Sequence, residues 1–192
     1  MGKILIGLVA PKQSGKDTVA DYLCSKYNFE KYNFADPLKE GIGKIFGFTD
    51  EQLYGDKKEV IDDYWGIAPR EVYQKIGTEI FQYEVPKLFP EMGEIGRSFW
   101  VKCFEKWYIN ELTYFETENV VISDVRFLHE SNKIKDMGGV LIKVQRDVDE
   151  NEYSGHSSEI ELKNIVCDYV LNNNGNLKEL YKEIDTLVSS FE

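Results

Sequence analysis

Histidine is nearly missing from this chain: His129 and His156 are the only two among 192 residues. They stand far apart, with no cysteine cluster near either, so the convergent Cys/His set of a zinc site is excluded. Cysteine is scarce as well. Cys24, Cys103 and Cys167 are odd in number and widely spaced, with no C-x-x-C. That excludes a disulfide framework and predicts reduced, buried thiols of a cytoplasmic protein. Long apolar runs are lacking: Ile4–Val9 spans six residues, against the roughly 20 that a membrane helix needs. A lysine-bearing loop follows it rather than a small-residue cleavage site. Positive charge is short too, with 34 acidic and 23 basic residues and a net charge of −11. That balance argues against a nucleic-acid polymer as partner and requires any anionic ligand to be captured by local basic residues. Only four of the basic residues are arginine: Arg70, Arg97, Arg126 and Arg146. A guanidinium forks onto a phosphate where an ammonium is a point charge, so each of the four is a candidate anion ligand.

What is present begins with residues 10–18, Ala-Pro-Lys-Gln-Ser-Gly-Lys-Asp-Thr. A buried strand precedes them, and a helical pattern of Val19, Ala20, Leu23 and Tyr27 follows. Strand, Gly/Lys loop and helix in that order is the setting that gives a phosphate-loop match its meaning. The loop amides and the helix N-terminus converge with positive partial charge. Lys12, Ser14, Gly15, Lys16, Asp17 and Thr18 are therefore candidate nucleotide ligands, with Lys16 along the outer phosphates. Two positions depart from G-x-x-x-x-G-K-[ST]: Ala10 replaces the first glycine and Asp17 the hydroxyl residue. Asp17 or Thr18 could reach a Mg²⁺ ion. The bland alternative is an ordinary turn before a helix.

At this length one domain, residues 1–192, is expected, burying roughly 70% of its unfolded surface. After strand 4–9 and a helix over 17–27, Phe29–Phe34 predicts a second strand. Asp36-Pro37 opens a helix with aspartate as N-cap and proline in the first turn. Residues 50–67 read as loop, and Pro69-Arg70-Glu71 starts a helix that could reach Phe81. Ser98–Phe115 carries an aromatic stripe at helical spacing, which core packing explains. Val120–Asp124 and Val140–Val144 read as buried parallel strands, with a helix over 128–137 between them, closed by Gly138-Gly139. Residues 147–158 are polar and loop-like. Asp168–Leu171 is a further strand, and Asn176-x-x-Glu179 opens a last amphipathic helix. The pattern predicts an α/β fold: a parallel sheet between helices, three layers in all, with a helical insertion at about 36–115. Ligands of such sheets sit at the carboxyl ends of the strands, where the loop and Asp124 fall.

Asp124 and Arg126 could serve a metal's hydration shell and a phosphate, or could be a structural ion pair. Lys39 and Arg70 lie at helix starts, where a solvated surface charge is the plain alternative. Arg146 ends a strand and enters the polar segment, the place for a closing loop. Trp100 belongs to the aromatic stripe, and core packing suits it better than base stacking.

Ser14–Thr18, Phe34–Glu40, Pro69-Arg70-Glu71 with Gln74-x-x-Gly77-Thr78-Glu79, Trp100-Val101 and Ser123–Phe127 occur in this order. His156–Glu159, Asp168–Val170 and Asn173–Gly175 complete the set. Together they resemble the phage-type deoxynucleoside monophosphate kinases over nearly the whole chain. Leu128-His129 stands where that family has Pro-Asn, while Glu130 matches. The resemblance implies a P-loop kinase that uses ATP and Mg²⁺ to phosphorylate a deoxynucleoside 5′-monophosphate. It implies Lys16 and Thr18 on ATP; Lys39, Arg70, Gln74, Trp100, Asp124, Arg126 and Glu130 around the acceptor; and a lid at about 146–158 carrying Arg146. Lys16, Asp124, Arg126 and Arg146 would be the catalytic set, Asp124 by positioning or metal binding. Its partners would be small molecules only, with a homodimer left open. Two rivals share parts of the pattern: a phosphomevalonate kinase-like enzyme and a non-catalytic nucleotide switch.

Overall fold

The structure, a computed structural model, describes residues 3–11, 13–92, 95–111, 119–146 and 161–191. Those residues form two compact units, one of residues 1–33 with 107–192 and one of residues 34–106.

The first unit is built on a parallel sheet of β1 (Ile4–Val9), β2 (Phe29–Tyr32), β3 (Asn119–Val125), β4 (Val140–Gln145) and β5 (Tyr169–Asn172). Among the described residues the strands run in the order β2-β3-β1-β4-β5. The unbroken apolar character of β1 follows from cover on both faces. Ile6 and Leu8 pack on one side with Val19, Ala20 and Leu23 of α1 (Lys16–Tyr27) and Leu180, Ile184 and Val188 of α8 (Leu177–Ser189). On the other side Gly7 lies against Ile134 of α7 (Leu128–Asp136), beside Leu141 and Val125. Helix, sheet and helix give the expected three layers. At the helix ends, Asp185 gathers Tyr22 Oη at 2.9 Å, Tyr27 Oη at 2.7 Å and Lys26 Nζ at 2.7 Å on a single oxygen. Tyr22 also stacks on Tyr181 at 4.0 Å, so the polar and aromatic contacts together lock α1 to α8. The capping box read at Asn176 is present, the side chain accepting from Lys178 and Glu179 amides.

The second unit holds α2 (Asp36–Phe46), α3 (Asp50–Leu53), α4 (Pro69–Lys75), α5 (Val85–Leu88) and the first part of α6 (Phe99–Asn110). Leu38, Ile42, Phe48, Leu53 and Val72 are its buried core. Several local expectations are corrected here. Asp36 lies inside the first turn of α2, and Ala35 occupies the cap position without a side-chain bond. The stretch 50–67 is not all loop, because Thr49 and Gln52 form a capping box that starts α3. The helix from Pro69 widens at Ile76 into a π-helical stretch, Ile76–Glu84. The three cysteines are half-buried rather than buried. Among the described residues no helix is long and apolar enough to cross a membrane.

Candidate active site

Parallel register sets the site. Val9, the last residue of β1, pairs with Val125 of β3 on one side and Lys143 of β4 on the other. The chain leaving β1 therefore enters its loop between the ends of two strands. One delivers Asp124 and Arg126, the other Arg146. This is the carboxyl edge at which α/β sheets bind ligands.

The loop is held by its own bonds. Ser14 is fully buried, and its hydroxyl donates to the Pro11 carbonyl at 2.8 Å. Gln13 and Gly15 both take left-handed conformations, with φ of 66° and 90°. Glycine adopts this without cost, whereas glutamine is held there under strain. Val19 N donates to Gly15 O at 3.1 Å, which starts α1 directly behind the loop. A turn of alternating backbone hand at a helix N-terminus makes a concave set of amides that suits an anion. Lys16 Nζ reaches both carboxylate oxygens of Asp17, at 2.9 and 2.8 Å. Lys31 of β2, which carries no signal in the sequence, bonds Asp21 at 2.9 Å and lies 4.0 Å from Asp17. Thr18 is half-buried one residue further along. Lys12 lies outside the described residues.

At the end of β3, Asp124 is half-buried and Arg126 exposed. Glu130 turns inward from the first turn of α7. Its Oε2 accepts the backbone amides of Arg126 at 2.7 Å and Phe127 at 3.0 Å. The contact shapes the turn that presents Arg126. Burial first, and then the charge of Asp124, push the Glu130 carboxyl up to about 8, against the pull of those two amides. Ser123, also buried, donates its hydroxyl to Asn33. Arg146 is exposed at the end of β4; residues 147–158, expected as the remainder of the lid, lie outside the described residues. Asp168 proves architectural: it accepts from Leu141 N at 2.8 Å and from Lys135 at 3.2 Å.

In the second unit, Lys39 lies over the Tyr54 ring at 4.7 Å and the Tyr73 ring at 5.8 Å. Burial raises the Tyr54 hydroxyl to about 12, assisted by Asp36, Glu40 and Asp50. Arg70, in the first turn of α4, bonds Glu59 at 2.9 Å and also acts electrostatically on Tyr73. Lys39 thus lies over two aromatic rings, while Arg70 is held by Glu59. Gln74 is exposed one turn after Arg70. Trp100 donates its indole N–H to Gly77 O at 3.1 Å and packs on Phe81 and Phe99. Trp65 is 45% exposed, with its indole N–H on Phe46 O.

A phosphate loop after the central strand of a β2-β3-β1-β4-β5 parallel sheet, with arginines at the flanking strand ends, defines a P-loop kinase. Solved structures agree on the fold. Shikimate kinase from Aquifex aeolicus vf5 is 15% identical, with a TM-score of 0.54 and 98% of each chain covered. Dephospho-CoA kinase from Campylobacter jejuni is 14% identical, with a TM-score of 0.50, covering 98% of this chain and 97% of its own. The family profile described as deoxynucleotide monophosphate kinase matches residues 4–60 and 43–184. A homologue of that description from Acanthamoeba polyphaga mimivirus is 38% identical over 97% of both chains. The deoxynucleotide monophosphate kinase of Enterobacteria phage T4 is 25% identical, covering 94% of this chain and 96% of its own. The chain belongs to the deoxynucleotide monophosphate kinase family.

Proposed function

We propose that this enzyme transfers the γ-phosphoryl group of ATP to a deoxynucleoside 5′-monophosphate, giving the diphosphate. One observation carries the reading: the phosphate loop opens between two strand ends that each present an arginine. A nucleotide switch needs only the loop. A transfer between two phosphorylated substrates needs further cations facing it.

ATP binding takes Lys16 over from Asp17, exchanging a carboxylate partner for the outer phosphates. The loop amides hold the phosphate chain. A monophosphate oxygen of the acceptor is already a nucleophile, so the protein's task is alignment and charge neutralisation rather than proton abstraction. Arg126, presented by the turn that Glu130 shapes, forks onto the acceptor phosphate, and Asp124 positions the acceptor. Arg146 brings a further positive charge to the transferring group. Hard oxygen donors suit Mg²⁺, and the Asp17 carboxylate and Thr18 hydroxyl beside the loop are of that kind, so these two residues would hold the ion. When bound, Mg²⁺ neutralises charge on the phosphates. We assign residues 34–106 to the acceptor, with Lys39, Arg70 and Gln74 as its polar ligands and Trp100, held by Gly77, Phe81 and Phe99, as an aromatic member of the same set. Lys39 over the Tyr54 and Tyr73 rings offers a cation beside aromatic faces, which suits an anionic ligand that also carries a ring. The cytoplasm, which supplies ATP and keeps thiols reduced, is the matching compartment.

An ADP-release assay with the common deoxynucleoside and ribonucleoside monophosphates, shikimate and phosphomevalonate tests this. Turnover of at least one deoxynucleoside monophosphate is expected. Activity on phosphomevalonate alone, or none beyond slow ATP hydrolysis, overturns it.

A further inference from the structure

Asn173, in the turn between β5 and α8, makes two contacts that the functional reading does not use. Its side-chain amide donates to the Ser14 carbonyl at 2.9 Å, across 159 residues of sequence. Its backbone N–H donates to the Gln145 carbonyl at 2.7 Å, and Gln145 is the residue before Arg146. One residue thus ties the phosphate loop to the root of the segment that carries Arg146. The amide fills the space left by the missing Cβ of Gly15, since a Cβ added there would overlap Asn173 Nδ2. Glycine at position 15 therefore serves twice, allowing a φ of 90° and admitting the asparagine.

The Ser14–Gly15 peptide is planar and trans, so its C=O and N–H point in opposite directions. Anchoring the carbonyl on Asn173 turns the Gly15 N–H to the other side. We propose that Asn173 is a positioning residue for phosphoryl transfer: it fixes the Ser14–Gly15 peptide so that the Gly15 N–H faces the phosphates of bound ATP. The inference rests on the kinase reading given above. Without the anchor, the peptide rotates between two orientations, only one of which offers its donor to the anion. Ser14 Oγ donates to a different carbonyl, that of Pro11. Asn173 bonds the Ser14 carbonyl and packs against Gly15, and so acts through the backbone of the loop.

The test uses the full chain. Asn173→Asp keeps the shape but replaces the donor with an acceptor facing a carbonyl; Asn173→Ala removes the contact. ATP affinity is measured by calorimetry without acceptor, and steady-state kinetics are measured with an accepted monophosphate. Far-UV circular dichroism identifies folded protein. Loss of one positioning hydrogen bond should weaken ATP binding by about tenfold and lower kcat by a similar factor, with the acceptor KM within about twofold of wild type. A merely structural asparagine lowers the denaturation midpoint and leaves kcat and ATP affinity of the folded enzyme unchanged. That result, in either variant, overturns the proposal. If Asn173→Asp does not fold, Asn173→Ala decides. Because ATP titration needs no acceptor, weakened ATP binding in a chain that phosphorylates no monophosphate upholds the role of Asn173 while defeating the acceptor assignment.

Discussion

Replacing Glu130 with glutamine should make the protein's stability less dependent on pH, in a direction that the structure dictates. Glu130 is almost wholly buried, and its carboxyl is displaced from 4.5 to about 8 by burial and by Asp124, against two backbone amides and Arg126. The folded state thus binds this proton more tightly than the unfolded chain does. Its stabilising contribution is complete below about 4.5 and is lost as pH rises through 8. At ~1.4 kcal/mol per pH unit, the ceiling on the loss between pH 5.5 and 8 is about 3 kcal/mol. Water penetration and relaxation around a buried carboxyl lower this to about 1–2 kcal/mol. Glutamine keeps an oxygen for the Arg126 and Phe127 amides but cannot ionise. Urea titrations of both proteins at pH 5.5 and 8 give a double difference in which other groups cancel. The variant should be equal or slightly weaker at the lower pH and gain on wild type by about 1–2 kcal/mol at the higher. A difference that is the same at both pH values would refute the reasoning and show that the two amides hold the carboxylate ionised throughout.

Lys16→Met should leave the fold intact and remove about 3–4 kcal/mol of transition-state stabilisation, a loss of several hundredfold in turnover; near-normal kcat in the folded variant would exclude the loop's role. Arg126→Lys should lower kcat/KM for the acceptor despite the conserved charge, since a planar fork becomes one point contact. Unchanged kcat/KM would leave Arg126 a surface charge. Gln13→Gly should relieve a left-handed glutamine with φ of 66°. A relief of about 1–2 kcal/mol against the 0.5–1 kcal/mol entropic cost of glycine predicts a stability gain of up to about 1.5 kcal/mol, read as a higher urea midpoint.

Much of the first unit was legible because its signals are local and periodic. Ile4–Val9, Val120–Asp124 and Val140–Val144 are short, β-branched apolar runs of the kind a strand covered on both faces carries, and each is a strand within a residue or two. Asn176 and Glu179 announced the last helix by a capping box that needs no distant partner. Thr49 and Gln52 carried the same sort of signal for α3, unread inside an acidic stretch. The phosphate loop was visible in its glycine, lysine and setting, and so were the strand-end arginines beside it.

What the sequence could not decide is which strand lies next to which. Residues of β1 and β3 are more than a hundred positions apart, and only their parallel pairing brings Arg126 beside the loop. The same holds for Asn173, whose reach to Ser14 spans 159 residues. It also holds for the left-handed Gln13, since local propensity disfavours a conformation that the closed loop imposes. Glu130 shows the division within one residue. Its place after Asp-x-Arg-Phe was readable, but its burial, its two amide donors and its displaced titration exist only once α7 is packed on the sheet. Pattern along the chain determines elements whose stabilising contacts lie within a few residues; the site is made by contacts across the sheet, and those exist only in the folded molecule.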